Sequence, residues 1–145
     1  MRTITTTRST GLRSVARVVL GGALVFAGIA HLTFDRESFQ AQVPDWVGID
    51  KNVVVILSGI VELLLGAALI VVKRHRALLG LAAGLFFIAV FPGNISQFID
   101  GDDAFGLNSN SARRNRLFFQ PVLVAWAWWS TDALSVFRRR PADSD

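Results

Sequence analysis

The sequence contains no cysteine, which excludes disulfides, thiolate metal sites and dithiol exchange in any compartment. Histidine is nearly as scarce, with His31 and His75 the only two, and the topology derived below sets them on opposite sides of a membrane. A zinc site needs three or four His, Cys or carboxylate ligands, so no metal is expected. No Ser/His/Asp set, phosphate-cradling glycine loop or dinucleotide fingerprint stands where it would work. A basic stripe interleaved with aromatics, of the kind that binds RNA, is also missing, and nucleic acid is not an expected partner. The chain shows no internal repeat, which leaves little machinery for alternating access and ranks a proton-coupled transporter last among the functions considered.

What the chain has is apolar surface in long blocks. Of its 145 residues 52% are hydrophobic, and mean hydropathy is +0.45. These values, with blocks in place of amphipathic periods, predict one all-α membrane domain whose first partner is the lipid bilayer. The formal net charge is +4, and the basic residues cluster beside apolar blocks, as suits anionic headgroups.

Four spans are expected, at about 14–34, 52–72, 77–99 and 117–137, forming an integral membrane four-helix bundle. Residues 1–12 are too poor in apolar surface to order themselves and are expected to be disordered in the cytoplasm, and residues 138–145 form a cytoplasmic tail. A cleaved leader is the competing reading of the N-terminal region. It is outweighed because the first apolar block is as long as a full span. Arg17 is expected to snorkel to the inner headgroups, and Asp132 to pair with Arg13 or Arg17. Residues 35–51 carry Phe39, Val43, Trp46 and Val47 among acids and should lie at the interface, with Pro44 ending any helix there.

The basic turn Lys73, Arg74, His75, Arg76 makes spans two and three an antiparallel pair. Gly80 and Gly84 permit close helix approach, and Pro92 with Gly93 should break span three, leaving carbonyls for Asn94 and Gln97 to satisfy. The polar stretch 100–116 is expected to be a mobile loop. Trp126, Trp128 and Trp129 indicate packing and anchoring in the inner leaflet. Ten Lys and Arg residues fall on one side and five on the other. The positive-inside rule then places both termini in the cytoplasm of a plasma-membrane protein.

Glu62 is the anomaly. It lies near the middle of span two, about 15 Å from the outer end at 1.5 Å per residue, where an ionisable group is a functional candidate by default. Ser58, Gly59 and Gly66 share its face at spacings of three and four residues, a small and polar stripe that points into the bundle. His31 reaches the outer level from span one, Asn94 and Gln97 from span three, and Gln120 from span four. Four helices thus aim polar groups at one outer pocket. Two roles stay open for Glu62: an architectural carboxyl hydrogen-bonded to a neighbouring helix, or a group that meets a ligand or exchanges a proton.

In order and spacing, several motifs resemble the DoxX-like family of small four-span bacterial membrane proteins. They are Gly28-Ile29-Ala30-His31, Phe39, Val43-Pro44, Ser58-Gly59-Ile60-Val61-Glu62-Leu63 with Gly66, and Phe91-Pro92-Gly93-Asn94. The resemblance covers roughly 15–98, with the last span matching only in hydrophobicity. It implies a four-helix plasma-membrane bundle and an accessory or anchoring role in a membrane redox system, beside an oxidoreductase partner or as a homo-oligomer. The broader group also looks like the quinone-reducing vitamin K epoxide reductase bundle, whose chemistry needs cysteine pairs that this chain lacks. No cofactor is required by these readings. The alternative function is binding of a quinone or small lipophile, with His31, Glu62 and Asn94 as hydrogen-bond partners.

Overall fold

The computed structural model describes residues 4–100 and 110–138. Among them every regular element is helical: α1 (Ile4–Leu32), α2 (Arg36–Gln40), α3 (Lys51–Val71), α4 (Arg76–Asp100), α5 (Asn110–Thr131) and α6 (Ser135–Arg138), with a single 3-10 turn at Asp45–Val47. Three stretches are long and apolar enough to cross a membrane: Gly11–Leu32, Lys51–Val71 and Arg76–Ser96.

α1 begins well before the expected span and takes in most of the segment expected to be disordered. α5 also differs from the span expected at 117–137. It ends at Thr131, Asp132 adopts a left-handed backbone with φ 55°, and a new short helix follows. Its first seven residues, from Asn110 to Arg116, are polar or basic apart from one alanine, and they are helical where a loop was expected. The apolar remainder is about 15 residues, or roughly 22 Å of helix, short of the ~30 Å hydrocarbon core. The rest of the expected loop, at 101–109, lies outside the described residues, as does most of the expected C-terminal tail.

α1 packs chiefly on α3, α4 on α5, and α1 also on α5. The α1 and α3 backbones approach through glycines. A Cβ on Gly28 would lie 2.8 Å from the Gly59 carbonyl oxygen, and one on Gly66 would lie 2.6 Å from that of Gly21. Gly80 and Gly84 do something else. They open notches on α4 that Thr131 and Trp128 of α5 fill, and any Cβ there would overlap those side chains. The core follows from these contacts: Leu20, Leu24, Leu69, Ala83, Phe87 and Ala127 are buried together. The Trp126 indole N–H ties α5 to α1 by donating to the Ala16 carbonyl at 2.9 Å.

Helix ends are fixed locally. Asp50 caps α3 by accepting from the Asn52 and Val53 amides at 2.9 and 3.2 Å. Gly48, with φ 71°, closes the 3-10 turn in a conformation that favours glycine. Nearby, Lys51 Nζ lies 2.6 Å from Asp45 Oδ1. The hydrogen bond first, and the positive charge second, hold the exposed Asp45 carboxyl below its ordinary range.

Three expectations about charged residues and the proline are corrected. Arg17 does not snorkel: it is 4% exposed and donates to the Val72 carbonyl at 3.4 Å, capping α3 where the helix dipole favours a cation. Asp132 pairs with Arg138 at 2.8 Å, while Arg13 stands over the Trp129 ring at 5.7 Å. Pro92 does not break α4, which continues to Asp100. Replacing Arg17 by leucine is expected to cost about 1 kcal/mol of stability, read as a lower melting temperature in detergent, whereas Arg13→Leu, where the side chain is only half-buried and its contact is the Trp129 ring, should cost less.

Candidate functional site

The register of α1 against α3 explains how His31 meets Glu62. Gly21 faces Gly66 and Gly28 faces Gly59, so the helices are antiparallel and His31 stands six residues nearer the connector than the level of Glu62. That offset is about 9 Å. Each Cα–Cβ bond leans toward the N-terminus of its own helix, and in an antiparallel pair the two side chains therefore lean toward each other. His31 Nδ1 and Glu62 Oε2 end 2.8 Å apart. Both residues are buried, at 8% and 7% exposure.

The same Nδ1 lies 2.8 Å from the Ala27 carbonyl oxygen. A carbonyl oxygen only accepts, so the Nδ1 hydrogen is directed to Ala27. Glu62 Oε2 is thus close to the imidazole without receiving a hydrogen bond from it, and it is buried with no other partner. The proximity is an electrostatic contact more than a hydrogen bond. The imidazole is held from its other side by Phe39, whose ring stacks on it at 3.4 Å between centroids and 20° between planes.

Across the site, Asn94 and Gln120 form a second polar station. Asn94 Nδ2 donates to Gln120 Oε1 at 3.1 Å, and Gln120 Nε2 donates to the Phe87 carbonyl at 2.8 Å. A carbonyl in the turn before Pro92 thus receives a donor from α5, while the carbonyl that Pro92 leaves without its helical donor is that of Ile88. Both amides are buried. Gln120→Leu would remove the side-chain donor to the Phe87 carbonyl and strip Asn94 of its acceptor. The expected loss is about 2 kcal/mol or more, measured by thermal melting against Gln120→Glu, which keeps the acceptor.

These groups share one cavity of about 780 Å³. His31, Ser58, Glu62, Asn94 and Gln120 all line it. Gln97 lies on α4 one turn beyond Asn94, and its side chain is outside the described residues. Sequence reasoning missed Gln42 and Asp35, which also line the cavity, and the rings of Phe26, Phe34, Phe86, Phe87 and Phe119 around it. The connector closes one end. A Cβ on Gly93 would lie 2.5 Å from the Gln42 carbonyl oxygen, so the absence of a side chain there lets the connector backbone at Gln42 lie against α4. Within the connector Val43 is buried, while Trp46 lines the cavity yet remains 75% exposed. Gln40 Nε2 pins α2 to the start of α3 by donating to Asn52 Oδ1 at 3.2 Å.

The cavity volume falls within the range of small-molecule sites, and its make-up is theirs too: mostly apolar and aromatic walls with a few placed polar groups. Among the described residues no three His, Asp or Glu side chains converge to hold a metal ion. Among the described residues the fold and site define an all-helical protein with three helices long and apolar enough to cross a membrane and a cavity lined by aromatic rings and a His/Glu pair. The chain belongs to the family described as Domain of unknown function (DUF8561), whose model matches residues 20–131 and so takes in every side chain that lines the cavity. No curated protein and no solved structure matches it.

Proposed function

We propose that the protein is a multi-pass plasma-membrane protein, both termini cytoplasmic, that binds a small lipophile in this cavity. The excess of Lys and Arg on one side supports the orientation. In this reading α5 completes a four-helix bundle, its basic first turns lying outside the hydrocarbon region. The observation that carries ligand binding is the pair of buried polar atoms on the cavity wall with no hydrogen-bond partner among the described residues, Glu62 Oε2 and Gln42 Nε2. An acceptor and a donor left open in an apolar chamber are costly in the empty protein and are relieved by a ligand bearing a polar head.

A quinone, whose carbonyl oxygen can accept from Gln42 Nε2, is one neutral candidate, and it would join the cavity to the accessory redox role that the DoxX resemblance implies. The test is a titration of a short-chain quinone into the protein in lipid nanodiscs, followed by Trp fluorescence, since Trp46 lines the cavity. Saturable quenching is expected, lost in Trp46→Phe and weakened at least about tenfold in Ala27→Phe, which fills the chamber with a ring. Quenching that rises without saturation, equally in all three proteins, would remove the proposal.

A further inference from the structure

The charge of the wall is the opposite of the charge of the protein. The chain carries 15 Lys and Arg against 11 Asp and Glu, yet among the described residues no Lys or Arg lines the cavity, while Asp35 and Glu62 both do. Arg36, the basic residue nearest in sequence, turns away and donates to the Leu32 carbonyl at 2.7 Å. His31 is the remaining titratable group on the wall, and α4 and α5 contribute only Asn94 and Gln120 as polar side chains.

From this arrangement we infer that the ligand is a lipophilic organic amine, bound as its ammonium with an N–H donated to Glu62 Oε2 and its apolar body among the phenylalanine rings. The inference rests on the cavity being a ligand site, as proposed above, and names the class of ligand. Three features converge on it. Glu62 Oε2 is an acceptor, 93% of the residue is buried, and no donor reaches it in hydrogen-bond geometry. Phenylalanine rings line the same cavity, and the face of an aromatic ring carries negative quadrupole potential that attracts a cation. A lipophilic anion meets two carboxyl groups against the single imidazole of His31, with no guanidinium or ammonium on the wall, so the same wall disfavours it. Gln42 Nε2 adds a donor toward the connector, so an amine with a hydroxyl or ether oxygen along its body satisfies both open atoms.

Three probes that share one ring system and differ only in charge test the inference: naphthylmethylamine, naphthylmethanol and naphthoate. Binding is measured by equilibrium dialysis against the full chain in zwitterionic nanodiscs, with empty nanodiscs subtracting partition into lipid. The amine is expected to bind saturably and about tenfold tighter than the alcohol, and naphthoate not to bind. In Glu62→Gln the amine should fall to the affinity of the alcohol while the alcohol is little changed. Equal binding of amine and alcohol in the native protein, or binding of naphthoate, overturns the charge assignment and leaves the cavity as a neutral-lipophile site. Saturable binding by none of the three overturns the ligand-site reading itself. The comparison among native-protein probes stands even if the Glu62 variant fails to fold.

Discussion

Gly66→Leu is expected to unfold the protein at temperatures where the native chain is stable, with a loss of about 4 kcal/mol or more, above the 1–3 usual for overpacking. The reason lies in what the new side chain meets. Its Cβ would stand 2.6 Å from the Gly21 carbonyl oxygen and 2.8 Å from the Val25 amide nitrogen. Those are backbone atoms of a packed helix, which cannot swing aside as a side-chain tip can, so α1 must move bodily from α3. That movement would also part Gly28 from Gly59 and, one turn beyond, His31 from Glu62. Thermal unfolding in detergent should therefore fall together with lipophile binding. Gly22→Ala is the control, since nothing lies within 4 Å of its added methyl. Alanine is the better helix former by up to about 1 kcal/mol, so that variant should be neutral or slightly stabilised.

The dependence on Gly66 shows which parts of the site a sequence reveals. A polar or small residue inside an apolar run stands out against lipid-facing neighbours, and so Glu62, Ser58, Gly59 and Gly66 were legible as one stripe on α3. His31 and Asn94 were legible for the same reason, and the structure places them on one cavity wall with Gln120. The aromatic wall was not legible. A phenylalanine facing lipid and one facing a chamber are both apolar residues in apolar helices, so nothing in the sequence separates Phe26 or Phe119 from residues that face only lipid. Gly80 and Gly84 were legible as places of close approach, but not what approaches, because a small residue admits either a helix backbone or a large side chain. Only the positions of Thr131 and Trp128 on α5 decide between them. Arg17 was misplaced because snorkelling assumes a free path to the headgroups, whereas the end of α3 offers a nearer partner. The connector was read as interfacial from Trp46 and Pro44. That Gln42 and Val43 turn inward depends on Gly93, some fifty residues away, and no local pattern announces it.

Glu62→Leu is expected to keep or raise stability while weakening amine binding at least tenfold, and this pairing of outcomes decides what the carboxyl is for. If Glu62 were an architectural tie, its removal would orphan a buried partner and cost about 3–5 kcal/mol, as breaking a buried pair does. Here the His31 Nδ1 hydrogen is already satisfied by the Ala27 carbonyl, and Phe39 holds the ring by stacking. Loss of the carboxyl leaves no donor on that nitrogen unpaired. Leucine has similar volume and removes a polar group that burial penalises, so a gain of about 1 kcal/mol or more is expected. A residue whose removal stabilises the fold and abolishes binding is kept for the ligand, the usual trade between stability and function at a site. His31→Ala should behave differently, losing about 1–2 kcal/mol because it vacates the space between Phe39 and Gly59 that the imidazole fills. Thermal melts of both variants, read beside the dialysis measurements, separate the two roles. A loss above about 2 kcal/mol in Glu62→Leu would make the carboxyl part of the scaffold, and the open oxygen Oε2 would then need another explanation.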